Sequence, residues 1–313
     1  MYKNLKIAIV VPAYNEEKLV DKTIKSIPDF VDKIVAINDC SKDNTEKILR
    51  KLEKVDKRIY VINNEVNIGL GGSMIKALKY LMDTDIDIIG VMAGDAQMDP
   101  KYLAPMIDEQ IITAADMVKA NRFMHSEALK TMPTYRRLGN IFISILTKFA
   151  TGYYSVFDSQ NGYVIYKTDA IRKISLDFIG NRYEYENTML LALSISRAKV
   201  VDFPIPALYG EETSTINLFG TGFRTLNSLN KGFWKRIYYK YILMNFHPIA
   251  LFLVFGILLL VIGALVGLFI IFWKIAYSIS PTTGTVMLCI LPVIIGIQYL
   301  LTAIAMDVNN ENK

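Results

Sequence analysis

Residues 5–17 read LKIAIVVPAYNEE. From Leu5 to Val11 every residue but Lys6 is apolar, β-branched side chains are frequent, and the run stops at Pro12. A strand buried on both faces looks like this, and parallel sheets are the usual home of such strands. The run is too short for the apolar core of a signal peptide, and Pro-Ala-Tyr-Asn-Glu-Glu follows it rather than a small-residue cleavage site. Residues 33–38 (KIVAIN), 59–63 (IYVIN) and 86–92 (IDIIGVM) repeat the pattern. Helical spacing fills the gaps. Leu19, Val20, Thr23, Ile24 and Ile27 form one stripe, Ile48, Leu49, Leu52 and Val55 a second, and Gly71 to Met82 a third helix. The order βαβαβαβ predicts a doubly wound α/β domain whose ligand site lies off the carboxyl ends of the strands.

Downstream the pattern is less regular. A strand-like MVKANRF (117–123), an apolar stretch at 138–150, a strand-like YVIYK (163–167) and a helix near 184–198 complete a domain expected to span 1–217. In 218–245, Leu218, Phe219, Phe223, Leu226, Leu229, Phe233, Ile237 and Tyr241 recur at helical spacing among Arg and Lys. That suits a helix in a membrane interface or one packed on a core. Pro248–Trp273 and Gly284–Met306 then carry almost no charge. As helices each spans roughly 35–39 Å, enough to cross a bilayer. A two-span hairpin over 246–307 and a short tail, 308–313, are expected. Arg224, Lys231, Lys235, Arg236 and Lys240 precede the first span, while Lys274 alone lies between the spans. By the positive-inside rule the N-terminal domain and the tail are cytoplasmic, in a cell membrane. The basic cluster serves topogenesis or anionic headgroups equally well. Cys40 and Cys289 can build neither a disulfide framework nor a zinc site, and no nucleic-acid partner is expected.

The chemistry-bearing residues fall where strands end: Pro12-Ala13-Tyr14-Asn15-Glu16, then Asn38-Asp39-Cys40-Ser41-Lys42-Asp43, then Gly94-Asp95-Ala96-Gln97-Met98-Asp99-Pro100. Three polar loops at one sheet edge form a crevice fit for a nucleoside and a hard divalent cation. Some of these residues have plainer uses. Asn15 and Asp43 suit helix N-caps, and Asp99 before Pro100 is a cap followed by proline. Asp95 has no such use, since it follows an apolar strand and is a costly charge near buried surface unless paired. Residues 67–73, NIGLGGS, imitate a dinucleotide loop, but the third glycine of the fingerprint would fall at Met74. Those glycines are expected to open a helix. His125 and His247 are isolated from any metal-ligand spacing.

Pro-Ala-Tyr-Asn-Glu, the Asn-Asp-Cys-Ser loop and the Asp95 loop together resemble the inverting family 2 glycosyltransferases of GT-A fold over roughly residues 5–215. Within them the chain is most similar to polyprenyl-phosphate sugar synthases, of the dolichol-phosphate mannose and undecaprenyl-phosphate glucose type. The resemblance implies that Pro12, Ala13, Tyr14 and Glu16 line a nucleotide pocket, with Asn38 and Asp39 near base and ribose. The family's Asp-x-Asp falls on Ala93-Gly94-Asp95, so Asp95 and Gln97 remain as ligands for Mg²⁺ or Mn²⁺. Arg122 matches a phosphate-facing position, and Arg136-Arg137-Leu138-Gly139-Asn140 matches the segment at the acceptor phosphate. The catalytic set implied is Asp95, Arg122 and Arg137. Asp158-Ser159-Gln160-Asn161-Gly162-Tyr163 resembles a stretch that closes the site. Tyr209-Gly210-Glu211-Glu212-Thr213-Ser214 resembles a late Arg-x-x-Gly-x-Ser-Lys motif, with Tyr209 and Thr215 replacing its basic residues.

The implied reaction is transfer of a monosaccharide from a nucleotide sugar to a polyprenyl or dolichyl monophosphate in the membrane. A UDP-sugar is favoured over GDP-mannose because the late arginine and lysine are missing. The alternatives are transfer to a hydroxyl of a lipid-linked oligosaccharide, with Glu184 or Glu186 as base, and a non-catalytic nucleotide-sugar scaffold.

Overall fold

A computed structural model describes residues 1–124, 134–182, 184–206 and 218–311. The chain divides into two compact units, Met1–Phe233 and Trp234–Glu311.

The first unit is built on a seven-stranded sheet. Its strands are β1 (Ile7–Ala13), β2 (Lys33–Asn38), β3 (Ile59–Asn63), β4 (Ile88–Val91), β5 (Met117–Asn121), β6 (Val164–Lys167) and β7 (Val200–Pro204), in the spatial order β3-β2-β1-β4-β6-β5-β7. β1 pairs in parallel with β2 and with β4, and β2 with β3. The four runs read from the sequence are these four strands. Alternation explains why both faces are apolar: Ile7, Ile9 and Val11 join one core and Ala8 and Val10 the other. Helices α1 (Val20–Ser26), α2 (Thr45–Val55) and α4 (Leu103–Thr113) supply Val20, Ile24, Leu49, Leu103 and Ile107 to the first core. Helix α3 (Gly69–Met82) covers the other face with Met74, Ala77, Leu78 and Leu81.

The second half departs from a wholly parallel sheet. β6 runs antiparallel to both β4 and β5, and β7 pairs in parallel with β5. Its helices are α5 (Thr134–Thr151), α6 (Thr168–Arg172), α7 (Tyr185–Ile195) and α8 (Leu218–Arg236). α7 gives Met189, Leu190 and Leu193 to the core. At α8, Leu229 is buried and a Cβ on Gly232 would meet Leu191 Cδ2 at 2.7 Å, while Leu226 stays exposed. This part of the amphipathic segment therefore packs on protein.

In the second unit a π-helical turn, Ile237–Leu243, precedes α9 (Pro248–Tyr277) and α10 (Thr283–Asn309). Both helices are long and apolar enough to cross a bilayer and are candidate spans. They pack through small residues: a Cβ on Gly256 would lie 3.1 Å from the Gly296 carbonyl oxygen, and one on Gly296 only 2.9 Å from that of Gly256. Absent side chains are what allow backbones this close. Next to the hairpin's two ends, Arg236 is fully buried and forks onto Asp307, with both N–O distances 2.8 Å, while the Tyr241 hydroxyl donates to the same carboxylate. Lys240 is buried too. Two members of the basic cluster are thus buried in protein, Arg236 because a buried guanidinium needs its carboxylate.

Candidate functional site

The chain reverses direction across the sheet between β1 and β4, and the crevice off their carboxyl ends is where open α/β sheets bind ligands. Each loop there turns on a residue in the left-handed region: Asn15 (φ 57°), Cys40 (φ 59°) and Ala96 (φ 56°). Such a conformation is costly for a residue with a Cβ and persists where its surroundings hold it.

Hydrogen bonds do the holding on the β1–β2 side. Asn15 N–H donates to Ser41 Oγ, and its Oδ1 accepts from Lys42 N–H at 2.9 Å. Asn15 is therefore no helix cap, since α1 begins only at Val20 and its N-cap Leu19 makes no side-chain bond. The Asp43 carboxylate accepts from the N–H groups of Thr45 and Glu17, closing the start of α2 against the first loop. Asp99 caps the short 3₁₀ turn Pro100–Tyr102 as expected. Asp39, nearly buried, accepts from Asn64 Nδ2, Ile68 N–H and Gly69 N–H, the last two at 2.9 Å. It anchors the start of α3, where unbonded N–H groups and the helix dipole favour a carboxylate.

Residues 67–73 do open a helix, and they do more. Gly69 sits at φ 84°, and a Cβ there would come within 2.6 Å of the Asn181 carbonyl oxygen. That carbonyl accepts Gly72 N–H at 2.9 Å, so the 180–182 loop rests on the α3 N-terminus. Arg182 is thereby brought to a cavity of about 320 Å³ lined by Pro12, Ala13, Tyr14, Asp39, Asn67, Gly69, Leu70, Ser73 and Arg182. Four of the six residues expected around a nucleotide are there. Asn38 and Glu16 do not line it: Asn38 Oδ1 takes Ser41 N–H within the turn, and Glu16 N–H donates to Thr45 Oγ1. Asn67, Ser73 and Arg182 were missed because only tertiary contact carries them to the cavity.

A second cleft of about 350 Å³ shares the Pro12 and Leu70 wall with the first. Asp95, Gln97, Arg122, Gln160, Asn161, Gly162 and Glu186 line it. Asp95 Oδ1 accepts Gln97 N–H at 3.0 Å, and burial raises its carboxyl above the usual range, against the pull of that bond. Among the described residues no cation pairs with it, and no three His, Cys, Asp or Glu side chains cluster. A hard divalent ion fits Asp95 with the Gln97 amide if phosphate and water complete its shell.

Arg122 also reaches the cleft, but its Nε and Nη2 fork onto Asp158 at 2.7 and 2.9 Å. Asp158 is fully buried and takes Arg122 N–H as well. Beneath them Lys119, fully buried, donates to the Asn161 carbonyl oxygen. Burial lowers the Lys119 pKa, opposed by Asp158, Glu186 and Asp202. Glu186 sits in the cleft with its carboxyl pushed up to about 7 by burial, Lys119 pulling the other way. Asn140 is a partly buried residue of α5 and does not line the described cavities. The side chains of Arg136 and Arg137, and residues 209–215 and His125, lie outside the described residues.

Known proteins resemble this chain. Residues 8–175 match glycosyl transferase family 2. A UDP-N-acetylglucosamine–dolichyl-phosphate N-acetylglucosaminyltransferase of Methanococcus voltae is 30% identical over 218 residues, 66% of this chain and 86% of that protein. An undecaprenyl-phosphate mannosyltransferase of Micrococcus luteus is 23% identical over 204 residues, 64% of this chain and 83% of the relative. Among solved structures, glucosyl-3-phosphoglycerate synthase from Mycobacterium tuberculosis, in complex with Mn²⁺, UDP and glucosyl-3-phosphoglycerate, superposes with a TM-score of 0.57. It covers 73% of this chain and 80% of its own length at 16% identity, a likeness of GT-A fold. With residues 8–175, more than half of its length, inside the family match, this chain belongs to glycosyl transferase family 2 and is a glycosyltransferase.

Proposed function

We propose that the protein transfers a monosaccharide from a nucleotide sugar, by preference a UDP-sugar, to a polyprenyl (dolichyl) monophosphate in the membrane. One observation carries this reading: a cavity of about 320 Å³ shares its Pro12 and Leu70 wall with a cleft holding the Asp95 carboxylate, which has no described cation partner. The named relatives that act on dolichyl or undecaprenyl phosphate support the acceptor class.

Tyr14 and Asp39 would flank the nucleoside, with Asn67, Ser73 and Arg182 around its ribose and diphosphate. Asp95 and Gln97 would hold Mg²⁺ or Mn²⁺, which when bound supplies neutralisation of the leaving diphosphate. A phosphate monoester, with a second pKa near ~6, is largely dianionic at neutral pH, so its oxygen attacks the anomeric carbon with no proton to remove. The bond to the donor diphosphate breaks as the new C–O bond forms, and its electron pair leaves with the nucleoside diphosphate. Arg122, held rigid by Asp158, would present its positive edge to a phosphate, and Arg136, Arg137 and Asn140 are assigned to the acceptor phosphate.

The two apolar helices, with Leu265 and Ile275 exposed among many others, would cross a bilayer and keep the enzyme beside its lipid acceptor. The charge bias supports a cytoplasmic catalytic unit. Purified protein in detergent, given radiolabelled UDP-glucose, UDP-N-acetylglucosamine, UDP-galactose or GDP-mannose with Mn²⁺ and a polyprenyl phosphate, should yield an organic-extractable, mild-acid-labile product from one of them. No product from any donor would sink the proposal.

A second reading, transfer to a hydroxyl, has Glu186 in its favour, a cleft carboxyl titrating where a general base should. Loss of a base costs about 10²–10⁴ in kcat, so Glu186→Gln separates the two acceptors.

A further inference from the structure

The floor of the cleft holds two groups that the phosphate chemistry leaves unused. Asn161 is only 7% exposed and lines the cleft. Its Oδ1 accepts Tyr163 N–H at 3.1 Å, which fixes the orientation of the amide. Its Nδ2 has no partner among the described residues. A buried amide donor without an acceptor is rare in native chains, and a ligand atom is one way to complete it.

Glu186 enters the same cleft from α7, with no described ion pair. Gly162 lines the cleft beside them: a Cβ there would sit 3.4 Å from Met98 Cε and 3.8 Å from Glu186 Oε1, ordinary contacts. Lys119 beneath them already donates to the Asn161 carbonyl oxygen. A phosphate set directly against the Glu186 carboxylate would meet like charge. A neutral polyol suits an N–H donor beside a carboxylate oxygen.

We propose that Asn161 and Glu186 read the glycosyl group of the donor, Asn161 Nδ2 donating to one sugar oxygen and the Glu186 carboxylate accepting from a neighbouring hydroxyl. This rests on the reading of the cleft as a nucleotide-sugar site. Lys119 is the positioning residue beneath, holding the Asn161 backbone and attracting Glu186 by charge.

The test is a set of calorimetric titrations of the full chain in detergent with Mn²⁺. Bare UDP is compared with UDP-glucose, UDP-N-acetylglucosamine and UDP-galactose. The wild type should prefer one sugar over its epimer or C2 variant by at least about ten-fold, since a site built around hydrogen bonds rejects a ligand that leaves them unmade. Asn161→Ala and Glu186→Gln should shrink that ratio to within about three-fold while leaving UDP affinity within about two-fold, as expected for groups that touch only the sugar. Unchanged UDP binding also reports that the variants fold. Gly162→Ala, which keeps both polar groups and adds a methyl, should weaken every UDP-sugar and spare UDP. An unchanged ratio, or UDP weakened as much as its sugars, overturns the proposal. So does a kcat loss of about 10² or more at saturating donor for Glu186→Gln with discrimination intact, the signature of a base. These bindings need no lipid acceptor, so failure of transfer to polyprenyl phosphate alone leaves this test standing.

Discussion

The two sides of the crevice are made from the same residue types and behave oppositely. At the β1–β2 rim the polar side chains Asn15, Asn38, Asp39 and Asp43 all accept backbone N–H groups. On the β4–β7 side, Asp95 accepts one N–H, the Asn161 amide nitrogen has no described partner, and Asp95 and Glu186 are both pushed toward neutrality by burial. The first rim is a scaffold braced by these bonds. The second keeps unsatisfied groups, and a native chain tolerates those mainly where something binds. It follows that truncation at the first rim should cost stability, whereas neutralisation in the second should cost activity and give stability back.

Asp158 is the sharpest probe, a fully buried carboxylate of the second region with both oxygens bonded to Arg122. Asp158→Ala leaves Arg122 and Lys119 facing each other without it, and breaking a buried pair costs about 3–5 kcal/mol. The denaturation midpoint in detergent should fall accordingly; an unshifted midpoint would mean the network is not built as described. Asp95→Asn should lower transfer about 10²-fold or more while the melting temperature holds or rises. A lower melting temperature would place Asp95 with the scaffold. Asp39→Ala should do the reverse, losing about 2–3 kcal/mol as three donors go unmet at the start of α3. If the fold keeps its stability and only nucleotide affinity drops, the contrast between the rims fails.

The smallest effect is a pH dependence. The Glu186 carboxyl is raised to about 7 from an ordinary 4.5, with Lys119 opposing the shift and Glu184 adding to it; Tyr166 and Tyr185, packed nearby, stay neutral. Between those values the unfolded chain ionises first, so the wild type loses stability as pH rises from about 4.5 to 7 and none further above. Glu186→Gln should remove that slope, melting higher than wild type at pH 8 and alike near pH 4. Parallel melting curves across that range would put Glu186 in ordinary solvent.

How far the site could be read from the sequence followed the same divide. β1, β2 and β4 are apolar runs ended by polar residues, so their loops were legible, and Pro12, Ala13, Tyr14 and Asp39 do line the first cavity. Asn15 misled, because a cap and a loop crosslink use the same residue type, and only the position of α1 separates them. Gly69 and Gly72 were legible as a helix start, but not as the seat of the 180–182 loop that brings Arg182 in from over a hundred residues away. β7 and the antiparallel β6 carry no periodicity that betrays direction.

The sequence by itself determined the elements whose signals are local: the buried parallel strands, the amphipathic helices, the two long apolar segments and the family motif at each strand end. Hydrophobic period and turn chemistry act over a few residues, and each can be read where it stands. Only the tertiary structure decided which polar groups are satisfied. Whether Asp39 is a brace and Asn161 an unmet donor depends on atoms that folding alone brings within 3 Å, and that distinction, more than residue type, separates the scaffold from the candidate sugar site.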